Sequence, residues 1–266
     1  MNYSAKDAQY TMSSNSKSPA ENSDTVARGN QSGLLLQLDA RRITSFFAVV
    51  VSLFLTLHIV INVLRFALGN EKLYGLVYMF SVGADGNFPT YYSSFALLFA
   101  GLLLALISYM VSKMGRVHAL YWLGLGGVFC FLALDEMLEL HERLIEPVRN
   151  FTQASGLLYY AWVIPYAVAL LVLGLVYLRF MFNLPRRTAI WFILSGAVYV
   201  GGAVGFEMLG GLFFENYGSN TPGYVVLQTI EEAMEMIGIV MFIYALTDYI
   251  CRELGGVEIR ISSSSV

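Results

Sequence analysis

The chain has 266 residues, of which 57% are hydrophobic and 13% charged, with a net charge of −3. An average soluble domain is about half apolar and about a quarter charged, so the apolar surplus exceeds what a soluble core hides and points to membrane spans. A soluble enzyme, a disordered regulator and a nucleic-acid binder are excluded, the last because no basic surplus is available to track phosphates.

Residues 1–40 are polar and rich in Ser and Asn, and read as a disordered N-terminal tail. No basic segment runs directly into a short apolar stretch with a cleavage site, so no removable signal peptide is expected. Leu34-Leu35-Leu36-Gln37-Leu38 reads as a short interfacial turn. Residues 41–252 form the transmembrane domain and 253–266 a short C-terminal tail. Within the domain, six segments approach the ~20 apolar residues that a span requires: 43–68, 92–112, 117–138, 157–182, 188–213 and 224–250.

Between the first two spans, Leu73, Leu76, Val77 and Phe80 recur at helical spacing and predict a short interfacial helix. Gly83-Ala84-Asp85-Gly86-Asn87-Phe88-Pro89 then reads as a turn back into the bilayer. Arg41, Arg42, Lys113, Arg116, Arg179, Arg186 and Arg187 all fall on one side of a six-span topology. The positive-inside rule makes that side cytoplasmic. The expected fold is an all-α membrane protein, a six-transmembrane-helix bundle with both termini cytoplasmic, in the inner (plasma) membrane. Cys130 and Cys251 do not make a disulfide framework.

The acids carry the functional signal. Asp135, Glu136, Glu139, Glu142, Glu207, Glu231, Glu232 and Glu235 lie at or inside predicted spans, where carboxylates are costly and mark sites or pathways. A rise of 1.5 Å per residue puts Asp135 about 27 Å above Val117 and Glu207 about 29 Å above Thr188, with Glu231 and Glu235 about 10 and 16 Å below Tyr224. Three helices thus deliver carboxylates to the outer half of one bilayer. Glu231 and Glu235 share a face at i,i+4, from which Glu232 turns away by about 100°. Asp135, Glu139 and Glu142 read as a stack at i, i+4, i+7 with His141 beside them, and His58, Asn62 and Arg65 repeat that spacing on the first helix.

Arg65 and Arg143 are too few to neutralise eight acids, so the cluster must hold protons or bind a cation. Carboxylates with one or two imidazoles suit Fe, Mn or Zn. The expected metal ligands are His58, Asp135, Glu139, His141, Glu207, Glu231 and Glu235, although the Glu-x-x-His pairs of di-metal bundles do not occur. Several of these residues have blander roles open to them. Glu139 and Arg143 are spaced for a salt bridge, Glu136, Glu142 and Glu146 can face water, and His58 taken alone is more often a hydrogen-bonded core residue. Ala197, Gly201 and Gly205 form a small-residue face expected to permit close helix approach, and Pro165 is expected to break a backbone hydrogen bond near Ala161. No nucleotide cofactor is expected, because there is no P-loop and Gly124-Leu125-Gly126-Gly127 lies within a span.

Asn87-Phe88-Pro89-Thr90-Tyr91-Tyr92-Ser93-Ser94, Leu134-Asp135-Glu136 with His141-Glu142-Arg143, Gly205-Phe206-Glu207-Met208-Leu209-Gly210-Gly211, and Glu231-Glu232 with Glu235-Met236 resemble a widespread group of uncharacterised bacterial multi-span proteins. The resemblance covers roughly residues 43–250. It implies a bacterial inner-membrane setting and adds no catalytic assignment. Three functions remain open. The first is a membrane metalloprotein, with an enzyme acting on a lipid-like or small-molecule substrate as its specific form. The others are a proton- or cation-coupled transporter using the same acids as a relay, and an assembly or sensor subunit. The expected partner is the lipid bilayer, with no nucleic acid and with a homodimer left open.

Overall fold

Asp39 starts the first span by accepting the backbone N–H of Arg41 at 2.9 Å, which satisfies a donor that the helix start leaves unpaired. The computed structural model describes residues 34–37, 39–70, 72–256 and 258–261. The expected disordered tail falls mostly on 1–33, outside the described residues. Residues 36–258 form one compact unit; of the second, 1–35 with 259–266, only 34–35 and 259–261 are described. Strands β1 (Leu34–Gln37) and β2 (Glu258–Ile261) pair in a two-stranded sheet, where a turn was expected at 34–38.

The helices are α1 (Ala40–Leu68), α2 (Leu76–Phe80), α3 (Phe88–Lys113), α4 (Ala119–Leu138), α5 (Ile145–Thr152), α6 (Val163–Asn183), α7 (Arg186–Val200), α8 (Glu207–Tyr217) and α9 (Pro222–Glu253). Six stretches are long and apolar enough to cross a membrane: α1, α3, α4, α6, α7 continued through α8, and α9. These mark a multi-pass membrane protein. The predicted interfacial helix forms as α2, after a 3₁₀ turn at Leu73–Gly75.

Helix α9 is the hub of the bundle and packs against α1, α3, α7 and α8, while α4 packs against α3. Ile243, Leu246, Thr247 and Ile250 are fully enclosed, and Phe129 of α4 stacks on Phe242 at 4.5 Å. Ser94 ties α3 to α4 by donating to the Ala133 carbonyl at 2.6 Å.

Two sequence expectations about backbone are corrected. The small-residue face does not continue to Gly205: Gly201 still meets Met234 of α9, 2.9 Å from where its Cβ would be, but Gly201–Phe206 winds as a π-helix. One wide turn rotates everything beyond it by about 100°. Gly202 takes the close position instead, where a Cβ would sit 2.7 Å from the Glu231 carbonyl, whereas Gly205 has nothing within 4 Å. Gly238 likewise admits the Tyr199 backbone, 2.8 Å from where its Cβ would be. Pro165 breaks nothing, because α6 begins only at Val163 and its first-turn N–H groups have no intrahelical acceptor.

Candidate cation site at the acid-rich end

The acids gather at the end of the bundle where α4 stops and α9 starts. Helix α4 ends at Leu138 because Glu139 adopts a left-handed conformation, φ 53° and ψ 43°. Such a backbone is uncommon for a residue with a Cβ and persists where its surroundings over-determine it. Asp135 supplies that constraint. Its carbonyl accepts the N–H of Leu140 at 3.3 Å, and its Oδ1 accepts the N–H of His141 at 2.9 Å. The expected helical stack of Asp135, Glu139 and Glu142 is therefore broken, and the acids beyond Asp135 stand on a turn. Tyr166 of α6 lies close to the same carboxylate, and Asp135 is only 5% exposed.

His141 places Nδ1 3.4 Å from Asp135 Oδ2 and packs against Trp162 with ring centroids 4.8 Å apart. Burial alone would lower its pKa. The hydrogen bond and charge of Asp135, with Glu136 and Glu142 nearby, outweigh this and hold it up at about 9. The raised pKa favours the imidazolium, whose charge offsets part of the cluster, and the Asp135 contact engages the Nδ1 side of the ring.

The left-handed turn swings Glu139 and Glu142 towards Asp85, in the loop between α2 and α3. Among the described residues, Asp85, Glu139 and Glu142 offer ligand oxygens that all lie within 4.8 Å of one another. The Asp85 carboxyl is pushed above its ordinary range by burial first, then by Glu139 and Glu207. Glu142 is raised by burial and then by Asp85, with Glu139 and Glu207 adding to it. Crowding of like charge is the common cause, and a bound cation would relieve it.

The loop carrying Asp85 is fastened from several sides. Gln228 of α9 donates to the Gly83 carbonyl at 2.6 Å. Asn87 donates to the carbonyls of Tyr78 and Ser81 at 3.0 and 2.7 Å and caps α3 through the Thr90 N–H. His58 receives the Val82 N–H on Nδ1 at 3.1 Å and meets Thr229 Oγ1 through Nε2 at 2.9 Å. An acceptor at Nδ1 places the proton on Nε2, and both ring nitrogens are spent. Geometry therefore makes His58 a clamp on the Asp85 loop, buried beside Asn62. Arg65, the third member of that stripe, bonds Asn220 and serves the α8–α9 connection.

A deeper group of carboxyls lies beneath the loops. Glu207 accepts the Trp162 indole N–H at 2.8 Å and meets the Glu231 carboxyl at hydrogen-bonding range. Glu235 lies near Tyr199, Glu136, Glu207 and His141. Glu232, expected to turn away, lies near Glu235, Glu136 and Asp85. The cluster wraps around α9 rather than occupying one face of it. Glu231, Glu232 and Glu235 are all partly exposed, so the group is not sealed by protein.

Of the residues singled out in sequence, Glu139 joins the triad, Glu207, Glu231 and Glu235 form the deeper group, Asp135 pairs with His141, and His58 stands apart as the clamp. Sequence reasoning missed Asp85, read only as part of a turn, together with Tyr199 and Trp162. The one signal for Asp85 was an acid set among glycines in the loop facing the acid-rich helix ends.

No curated protein and no solved structure matches the chain. A family model described as "Domain of unknown function (DUF8692)" matches residues 43–249, covering all six apolar spans in whole or large part. The chain belongs to the DUF8692 family.

Proposed function

We propose that this protein handles cations at a membrane surface, with Asp85, Glu139 and Glu142 as the seat of a divalent metal ion. The carrying observation is the convergence of their ligand oxygens within 4.8 Å. Three carboxylates with both nearby imidazoles otherwise engaged make a hard, oxygen-only donor set, which suits Mn, Mg or Ca better than Zn or Fe. Water would complete the shell, since Asp85 and Glu142 are exposed. The arginine-rich end, where α1 starts and α9 finishes, is then the cytoplasmic one by the positive-inside rule. The site opens to the opposite side.

The test is isothermal calorimetry on full-length protein in detergent, titrated with Mn²⁺, Mg²⁺, Ca²⁺ and Zn²⁺ after chelator treatment. Saturable binding of one of the oxygen-preferring ions, weakened at least about tenfold by Asp85→Asn or Glu139→Gln, is expected. No binding, or binding indifferent to both substitutions, would refute the site.

A second reading is favoured by the Glu207–Glu231 contact. Two neighbouring carboxyls inside apolar spans are the kind of pair that a relay in a proton-coupled transporter uses. Proteoliposomes carrying a pH-sensitive dye should then show proton flux that Glu231→Gln abolishes; flux unchanged by that substitution would remove this reading.

A further inference from the structure

The opposite end of the bundle holds a cavity of about 400 Å³ between α1, α7 and α9. Arg41 from the first turn of α1, Arg187 from the first turn of α7 and Arg252 from the last turn of α9 line it, together with Tyr244 and the carboxylates Asp39 and Asp248.

Both carboxylates are committed to the protein itself. Asp39 accepts the N–H groups of Arg41 and Arg42 at 2.9 and 3.4 Å and pairs with Arg42 Nε at 3.4 Å. Asp248 receives Nε of Arg187 at 2.9 Å and Nε of Arg252 at 2.8 Å. Arg187 spends Nη2 on Tyr244, at 2.8 Å, and on Asp248. A guanidinium has five N–H donors, so these bonds orient Arg187 and Arg252 without exhausting them. Three arginines against two spent carboxylates leave the cavity positive. Helix α7 adds to this, since it begins after Pro185 with no side-chain cap on its first N–H groups.

Position supplies the rest of the argument. The cavity lies at the ends of three apolar spans, the depth at which phospholipid phosphates sit. Arginine is suited to phosphate because its planar fork donates two parallel hydrogen bonds. We propose that this cavity binds a phosphate group of net negative charge, supplied by an anionic phospholipid headgroup. It is independent of the acid-rich end and stands or falls separately from the cation site.

The experiment follows thermal unfolding of full-length protein in nonionic detergent at fixed ionic strength. The probes are short-chain phosphatidylglycerol, short-chain phosphatidylcholine and inorganic phosphate. Phosphatidylglycerol should raise the midpoint saturably and phosphatidylcholine should not. Arg41→Gln, which lies outside the Asp248 ion pairs, should weaken the apparent affinity by about tenfold, the order expected for one charged hydrogen bond; Arg252→Gln should do the same. If inorganic phosphate alone reproduces the saturable shift and the Arg41→Gln loss, the phosphate site holds but its source is the free ion. Equal response to both lipids, no response to any probe, or a response that survives both substitutions would overturn the proposal.

Discussion

The Asp135–His141 pair makes a sharp prediction about stability and pH. His141 has its pKa raised from 6.5 to about 9 against the opposing effect of burial. A raised pKa means that the folded state binds the proton more tightly than the unfolded state does. The corresponding stability is fully present below about pH 6.5 and disappears as pH rises through about 9. The difference between those pKa values is worth about 3 kcal/mol when fully expressed, of which under about 0.5 kcal/mol remains at pH 9. The His141 side chain is 24% exposed and that of Asp135 only 7%, so solvent screening removes little of this. For a chain of this size, each kcal/mol moves the unfolding midpoint by roughly 2–4 °C, giving a fall of about 5–10 °C between pH 6.5 and pH 9.

Wild-type protein in detergent should show that fall by circular dichroism or by dye-free fluorescence. The control is Asp135→Asn. Its side-chain carbonyl can still accept the His141 N–H that Oδ1 now takes at 2.9 Å, so the turn keeps its brace while losing the charge. The variant should be less stable at pH 6.5 and should lose most of the slope above pH 7. Other raised carboxyls, Asp85 and Glu142, have the same sign but titrate from a lower starting range, and they persist in the variant. An Asp135→Asn protein whose midpoint falls with pH as steeply as wild type would refute the account of the pair.

Gly238→Ala should cost about 1–3 kcal/mol, because the new Cβ would lie 2.8 Å from the Tyr199 backbone. Gly205→Ala, with open space around it, should be neutral or slightly stabilising in the same unfolding measurement. Divalent-ion affinity should rise with pH, since Asp85 and Glu142 are held protonated above their ordinary range by burial and by neighbouring carboxylates and must release protons to ligate. Calorimetry at pH 5.5 and 7.5 reads this directly, and tighter binding at the lower pH would contradict it.

The spans were legible because apolar length is a local property. Each of the six runs announces itself without reference to its neighbours, and all six appear as helices. That Glu207, Glu231 and Glu235 come near one another was legible for a related reason, since rise per residue converts sequence position into height. What failed were two steps that assumed an unchanged helical phase. The π turn at Gly201–Phe206 re-phased the fifth span, and the left-handed Glu139 cut α4 short of the acids that had been stacked on it. Neither departure is written in composition. The Glu139 conformation depends on bonds from Asp135 to Leu140 and His141, and the close packing against α9 depends on Gly202 and Gly238 meeting backbone from another helix. Asp85 was lost for the same reason in reverse. Its partners lie more than 50 residues away, and only the clamp from His58 and Gln228 brings its loop to them.

That division of labour bears on what the acids do. Asp85, Glu139 and Glu142 stand on a loop and a turn, segments that can adjust to the shell an incoming ion requires. Glu207 and Glu231 stand on α8 and α9, locked together where Gly202 lets the backbones touch. Side chains held on packed helices have less freedom to adjust to a hydrated metal ion than those on the loop and turn. The net charge of −3 conceals this arrangement by averaging an arginine-rich end against an acid-rich one. At the acid-rich end His141 is the counter-charge the fold provides, and it is already committed to Asp135. Under the proposed function the remaining carboxyls would take protons below and a cation above, so the metal and relay readings would describe two levels of one cluster. Substitution at Glu139 should therefore abolish ion binding while sparing proton uptake, and substitution at Glu231 should do the converse.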